Sequence, residues 1–121
     1  MSIVVPSVCK FPSENYMCSS CEDTHVLNDV RMNWKCPNCE KVITIHAIKN
    51  NKEKVVVNRI HPSEINKGMD IYIKKHLDIL PCEVTQIKAL TNGSFEITAL
   101  GNGVSKFTKI EYVNRHEGTW R

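Results

Sequence analysis

The stretch that most constrains this chain runs from Cys18 to Cys39. It reads Cys18-Ser19-Ser20-Cys21, then fourteen residues, then Cys36-Pro37-Asn38-Cys39. Two thiolates separated by two residues can wrap one tight turn and face inward, so each turn, or knuckle, supplies two corners of a tetrahedron. The intervening segment is long enough to run out and back, which lets the second knuckle meet the first. Paired C-x₂-C at this separation is the spacing of a structural zinc site. Pro37 presets φ at the start of its turn, and Asn38 tolerates the conformation in which the turn ends. Cys18, Cys21, Cys36 and Cys39 are therefore the expected ligands of one structural Zn²⁺. Four thiolates close the coordination sphere and are too electron-rich to make a good Lewis acid, so the metal is expected to hold the fold and not to catalyse.

On these cysteines the stretch resembles a zinc ribbon, the four-cysteine module common in transcription and translation machinery. The resemblance covers residues 1–50 and implies a part in a nucleic-acid process, such as transcription or DNA handling, as an accessory or regulatory factor. The chain departs from the ribbon pattern after each knuckle, where Glu22 and Glu40 stand in the place often held by glycine. The gap between the cysteine pairs is shorter than expected for iron-binding rubredoxins.

A chain of 121 residues makes one ordinary domain or two very small ones. The expected division is a zinc ribbon over residues 1–50 and a second unit over 51–121, separated near Lys49-Asn50-Asn51-Lys52-Glu53-Lys54, which reads as a linker or an exposed hairpin tip. Units this small bury little apolar surface, and a metal is a usual remedy. The net charge of +3 is mild, and its excess lies in residues 51–121. It permits nucleic-acid contact without the marked basic stripe of a strong binder. Residues 1–12 lack the pattern of a signal peptide, and no apolar window is long enough to span a membrane. A cytoplasmic, reducing setting is expected, in which paired cysteines bind metal and do not form disulfides. Cys9 and Cys82 remain; both read as small buried hydrophobes, with Cys9 as an alternative ligand the sharper reading.

The rest is β-rich. Ile3-Val4-Val5 is an edge strand or an anchored tail, and Lys10–Asn15 reads as a loop into the first knuckle. His25–Leu27 is a candidate strand, and Val30–Lys35 returns toward the second knuckle with Met32 and Trp34 two apart. Lys41–Ile48 alternates as a strand, with Ile43, Ile45 and Ala47 on one face. Val55-Val56-Val57 starts another, and Ser63 is a candidate cap for a brief helical turn ended by Gly68. Strands are expected over Met69–Lys74, Pro81–Leu90, Ser94–Leu100, Val104–Lys109 and Glu111–Asn114, with Asn92-Gly93 and Gly101-Asn102-Gly103 as turns. Short strands with tight turns suggest a small closed or half-open barrel. By pattern alone, residues 51–121 resemble SH3-like (Tudor or KOW-like) barrels. The fold expected is mainly β: a zinc ribbon followed by a small SH3-like β-barrel.

No nucleophile, base or phosphate loop emerges at local spacing, so the chain is read as a non-enzyme without a small-molecule substrate. His25 and His46 lie near the knuckles as alternative ligands, strand surface residues or groups around the site. Contact with a partner is expected from Arg31, Trp34, Lys35 and Lys41 around the ribbon, which mix cation and aromatic in a way that can stack a base and pair a phosphate. A second candidate set is Tyr72, Lys74, Lys75 and His76, with Lys52, Lys54, Lys106 and Lys109. The plain alternative is that Trp34 packs in the ribbon core and the cations are solvated. The partner is nucleic acid or protein, and the second reading is an adaptor or inhibitor that docks on another protein through strand edges and aromatic anchors.

Overall fold

A computed structural model describes residues 8–73 and 80–119 of the chain. In order, its elements are β1 (Ser13–Cys18), β2 (Asp23–His25), α1 (Leu27–Val30), β3 (Thr44–Ile48), β4 (Lys54–Ile60), a 3₁₀ turn (Pro62–Glu64), β5 (Asp70–Ile71), β6 (Cys82–Ala89), β7 (Phe95–Ala99), β8 (Gly103–Phe107) and β9 (Val113–Thr119). Among the described residues the fold is mainly β. Its nine strands form one antiparallel sheet in the order β2-β1-β3-β4-β9-β5-β6-β7-β8. Among the described residues the sheet runs from an edge at β2 to an edge at β8 and is not closed.

The alternation of the strands sorts their residues into cores on opposite faces of this sheet. The first cluster gathers Phe11, Tyr16, Cys18, Val30, Trp34, Cys36, Ile43, Ile45, Ala47, Val55, Val57 and Tyr72. The second gathers Ile60, Ile65, Ile71, Val84, Ile97, Phe107 and Val113. Neighbours such as Ile71 and Tyr72 point to different clusters, as adjacent strand residues must. On β4, Val55 and Val57 join the first cluster and Ile60 the second, while Val56, between the two valines, is half-buried. The first cluster brings knuckle cysteines together with residues of β4.

Lys49–Lys54 is a hairpin tip between β3 and β4, which pair through Ile48 and Lys54. Lys52 N–H donates to the Lys49 carbonyl, Lys49 N–H donates to the Glu53 carbonyl, and Lys52 sits at φ 71°. The Asn92-Gly93 turn is built alike. Gly93 N–H donates to the Leu90 carbonyl, Leu90 N–H to the Ser94 carbonyl, and Gly93 alone of that pair has positive φ, at 85°. Both are hairpins in which a turn is closed by a left-handed residue, and the second is not the two-residue type I′ turn that Asn-Gly suggests.

Other expectations are corrected. Lys10–Asn15 is not a plain loop: β1 begins at Ser13 and pairs with β3 along Ser13–Met17. The segment Val30–Lys35, which returns toward the second knuckle, begins at the end of α1 and is then turned: Arg31 N–H donates to the Leu27 carbonyl and Trp34 N–H to the Val30 carbonyl. That turn separates two residues placed on one face by strand spacing: Met32 is exposed and Trp34 is buried. The cap of the 3₁₀ turn is His61, whose side chain accepts from Ser63 N–H, and not Ser63. Of the strand expected over Met69–Lys74, the described residues form the short β5. Ile3-Val4-Val5, expected as an edge strand or an anchored tail, the cations Lys74 and Lys75, His76, and Trp120 lie outside the described residues.

Candidate metal centre

The two knuckles fold alike. Glu22 N–H donates to the Cys18 carbonyl and Glu40 N–H to the Cys36 carbonyl, both at 2.8 Å. In each turn a backbone N–H also reaches the leading sulfur: Cys21 N–H to Cys18 Sγ and Asn38 N–H to Cys36 Sγ, each at 3.4 Å. Glu22 and Glu40 adopt φ of 58° and 62°, the left-handed conformation that glycine would take without strain. The knuckle geometry therefore survives the loss of its usual glycines. β1 delivers Cys18 as its last residue, and an isolated bridge between Lys35 and Val42 closes the second knuckle at its base.

The result is a cluster of the sulfurs of Cys18, Cys21, Cys36 and Cys39, all within 4.8 Å of one another, with Cys18 and Cys39 at 3.4 Å. A tetrahedron with metal–sulfur bonds of about 2.3 Å has edges of about 3.8 Å, so the cluster fits a single four-coordinate ion. None of the six cysteines is in a disulfide, and Cys9 is not in the cluster.

The sulfurs do not share charge evenly. The Cys21 N–H lowers the Cys18 thiol to about 7. Burial opposes ionisation of Cys36, but the N–H groups of Cys39 and Asn38 outweigh it and the thiol is lowered. Cys21 is pushed up to about 12, chiefly by its hydrogen bonds to Cys39 and Cys18. Cys39 is favoured as a thiolate by Lys41 N–H, yet Cys18 and burial prevail and raise it. Crowded thiols cannot all ionise without a cation between them; a metal ion would supply that charge and displace the remaining protons.

Beneath the second knuckle lies a buried polar network. Trp34 and Arg59 are each 1 % exposed. Arg59 pairs with the Glu14 carboxylate and donates from Nε to Asn114 Oδ1 at 2.8 Å. Glu14 also accepts from Tyr16 Oη at 2.6 Å and from Phe11 N–H at 2.8 Å. Asn114 Nδ2 donates to the Cys9 carbonyl at 2.8 Å. Burial, the Glu14 hydrogen bond and the Glu14 charge raise the Tyr16 phenol, so it stays a donor. Sequence reading assigned nothing to Glu14 or Arg59. The signal was an arginine inside the apolar run Val55–Ile60, where an exposed cation is out of place.

The expected contact residues separate. Trp34 and Tyr72 are core residues, the latter 2 % exposed with its hydroxyl 2.9 Å from His116 Nδ1. Arg31 and Lys41 are exposed and Lys35 is half-buried. Lys41 Nζ donates to Ser20 Oγ at 3.0 Å, bridging the knuckles. Lys52, Lys54, Lys106 and Lys109 are exposed. Cys9 and Cys82, expected to be buried, are both half-exposed. No helix among the described residues is long and apolar enough to cross a membrane. No protein-family model, no curated protein and no solved structure gives a significant match to this chain, so the site stands on its own geometry.

Proposed function

We propose that this chain is a non-catalytic docking module, clamped at a ribbon-like pair of knuckles by one structural zinc ion, and that it grips another protein. Zinc suits four thiolates in a closed tetrahedral set, and such a site contributes folding free energy directly. The observation that carries the choice of partner is the burial of Trp34 and Tyr72. Rings that would stack on bases are committed to the core, while large apolar side chains stand in solvent beside the knuckles. Val26 and Met32, at 64 % and 43 % exposure, flank α1, and Arg31 lies between them in sequence. A mixed apolar and cationic knob of this kind suits a protein surface with an acidic rim.

The second reading keeps the nucleic-acid process. It is favoured by the exposed cations Arg31 and Lys41, with Lys35 half-buried near them. One experiment separates the readings: capture on the full-length protein, with and without nuclease, followed by mass spectrometry, and repeated with Val26→Asp and Met32→Asp. Protein docking predicts a partner retained after nuclease and lost with either variant. Binding to mixed DNA or RNA that weakens steeply with salt would favour the second reading instead.

A further inference from the structure

His25 ends β2, the strand that leaves the first knuckle and pairs back on β1 through Tyr16 and His25. Its Nε2 lies 3.6 Å from Cys36 Sγ, in the opposite knuckle. Cys36 is 1 % exposed, so water cannot solvate its sulfur, and charge on that sulfur must be met by protein donors. The N–H of Asn38 is one such donor, and that of Cys21 serves Cys18 in the same way. These are backbone groups fixed by the knuckle turns. His25 is a side chain brought in from a different strand.

We propose that His25 is a positioning residue of the metal centre: its Nε2–H donates to the Cys36 thiolate from outside the coordination sphere and holds that sulfur in register with the first knuckle. The inference rests on the metal reading above. A thiolate only accepts, so the contact fixes the proton on Nε2. The four cysteine sulfurs complete the cluster without the imidazole, which leaves it the role of donor and not of ligand. A divalent ion and four thiolates carry a net double negative charge, and a donor at a buried sulfur disperses part of it. Partners of this kind around metal ligands are worth about 10–100-fold in metal affinity.

The test uses the full-length protein with Zn²⁺ and Co²⁺ as probes. Zinc affinity is measured by chelator competition, and the cobalt form gives the sulfur-to-metal charge-transfer band. His25→Ala is expected to lower zinc affinity by about tenfold. It should also move the charge-transfer band to lower energy, because the thiolate loses a hydrogen bond. His25→Gln, whose amide nitrogen reaches a similar position, should restore most of the affinity and the band. A variant that merely loosened β2 would weaken binding without moving the band. Unchanged affinity and an unchanged band in His25→Ala would overturn the proposal. So would a cobalt spectrum of the unaltered protein with three sulfurs and one nitrogen, which would make His25 a ligand. If the unaltered protein takes up neither ion, the metal reading itself fails, and the proposal with it.

Discussion

The guanidinium of Arg59 lies 4.4 Å from the centroid of the Trp34 ring, with both residues buried. Trp34 stands two residues before a knuckle cysteine, and Arg59 stands on β4 in the middle of the sheet. The second knuckle is therefore seated on the sheet through one ring and one cation. Tyr16 adds a tilted ring contact to Trp34 at 5.9 Å, and its hydroxyl returns to the Glu14 carboxylate that neutralises Arg59. Knuckle, β1 and β4 are joined by a single set of contacts.

Removing one partner of that set should leave an uncompensated buried charge. Glu14→Ala or Arg59→Ala is expected to destabilise the metal-loaded protein by about 3–5 kcal/mol. Arg59→Met combined with Glu14→Gln removes both charges, and its loss should be smaller than the sum of the single losses. Denaturant unfolding followed by tryptophan fluorescence measures each value. Single substitutions that cost under about 1 kcal/mol would show the pair to be a solvated one.

The left-handed residues after the knuckles make a second prediction. Glu22 and Glu40 hold positive φ without being glycine, a conformation costing roughly 1 kcal/mol that glycine would relieve at a similar entropic loss in the unfolded chain. Glu22→Gly and Glu40→Gly should therefore be close to neutral. Valine, whose branched Cβ tolerates that region poorly, should destabilise by about 1–2 kcal/mol at either site. Thermal melts of the zinc-loaded variants test the contrast. Equal melting temperatures for glycine and valine would rule out left-handed backbone at these positions.

Alkali should loosen the core through Tyr72. Burial first, and then the charge of Glu53, pushes its phenol up to about 12. The folded protein thus holds this proton more tightly than the unfolded chain, whose phenol ionises at about 10. The stability it contributes is complete below the unfolded value and is lost as pH rises through the folded one. Between those limits the wild type should lose stability more steeply than Tyr72→Phe. The variant should also be less stable at neutral pH by about 1 kcal/mol, having lost the bond to His116. Parallel denaturation slopes for the two proteins across that window would contradict the assignment.

Local signals carried part of this structure well and part not at all. The cysteine spacing announced the cluster, and the alternation of Ile43, Ile45 and Ala47 announced the buried face of β3 and of the residue before it, where each is 0 % exposed. Ile97 and Ala99 followed the same rule on β7. Long-range pairing had no local signature. β9 returns between β4 and β5, which no spacing within residues 51–121 reveals. β1 was hidden because Ser13, Glu14 and Asn15 are polar, and Glu14 is kept in the sheet by an arginine forty-five residues away. Trp34 read either as a contact residue between cations or as part of the ribbon core, and the turn at Val30–Trp34 accompanies its burial.

The account rests on a metal ion within the Cys18, Cys21, Cys36 and Cys39 cluster, and its most direct test is the metal content of the purified full-length protein. Elemental analysis under reducing conditions should find one zinc per chain. Removing it with a chelator, or introducing Cys36→Ser, should unfold the knuckles and the strands seated on them, since such a site supplies on the order of 10 kcal/mol of folding free energy. Protein free of stoichiometric metal, with a circular dichroism spectrum unchanged by chelator, would contradict it.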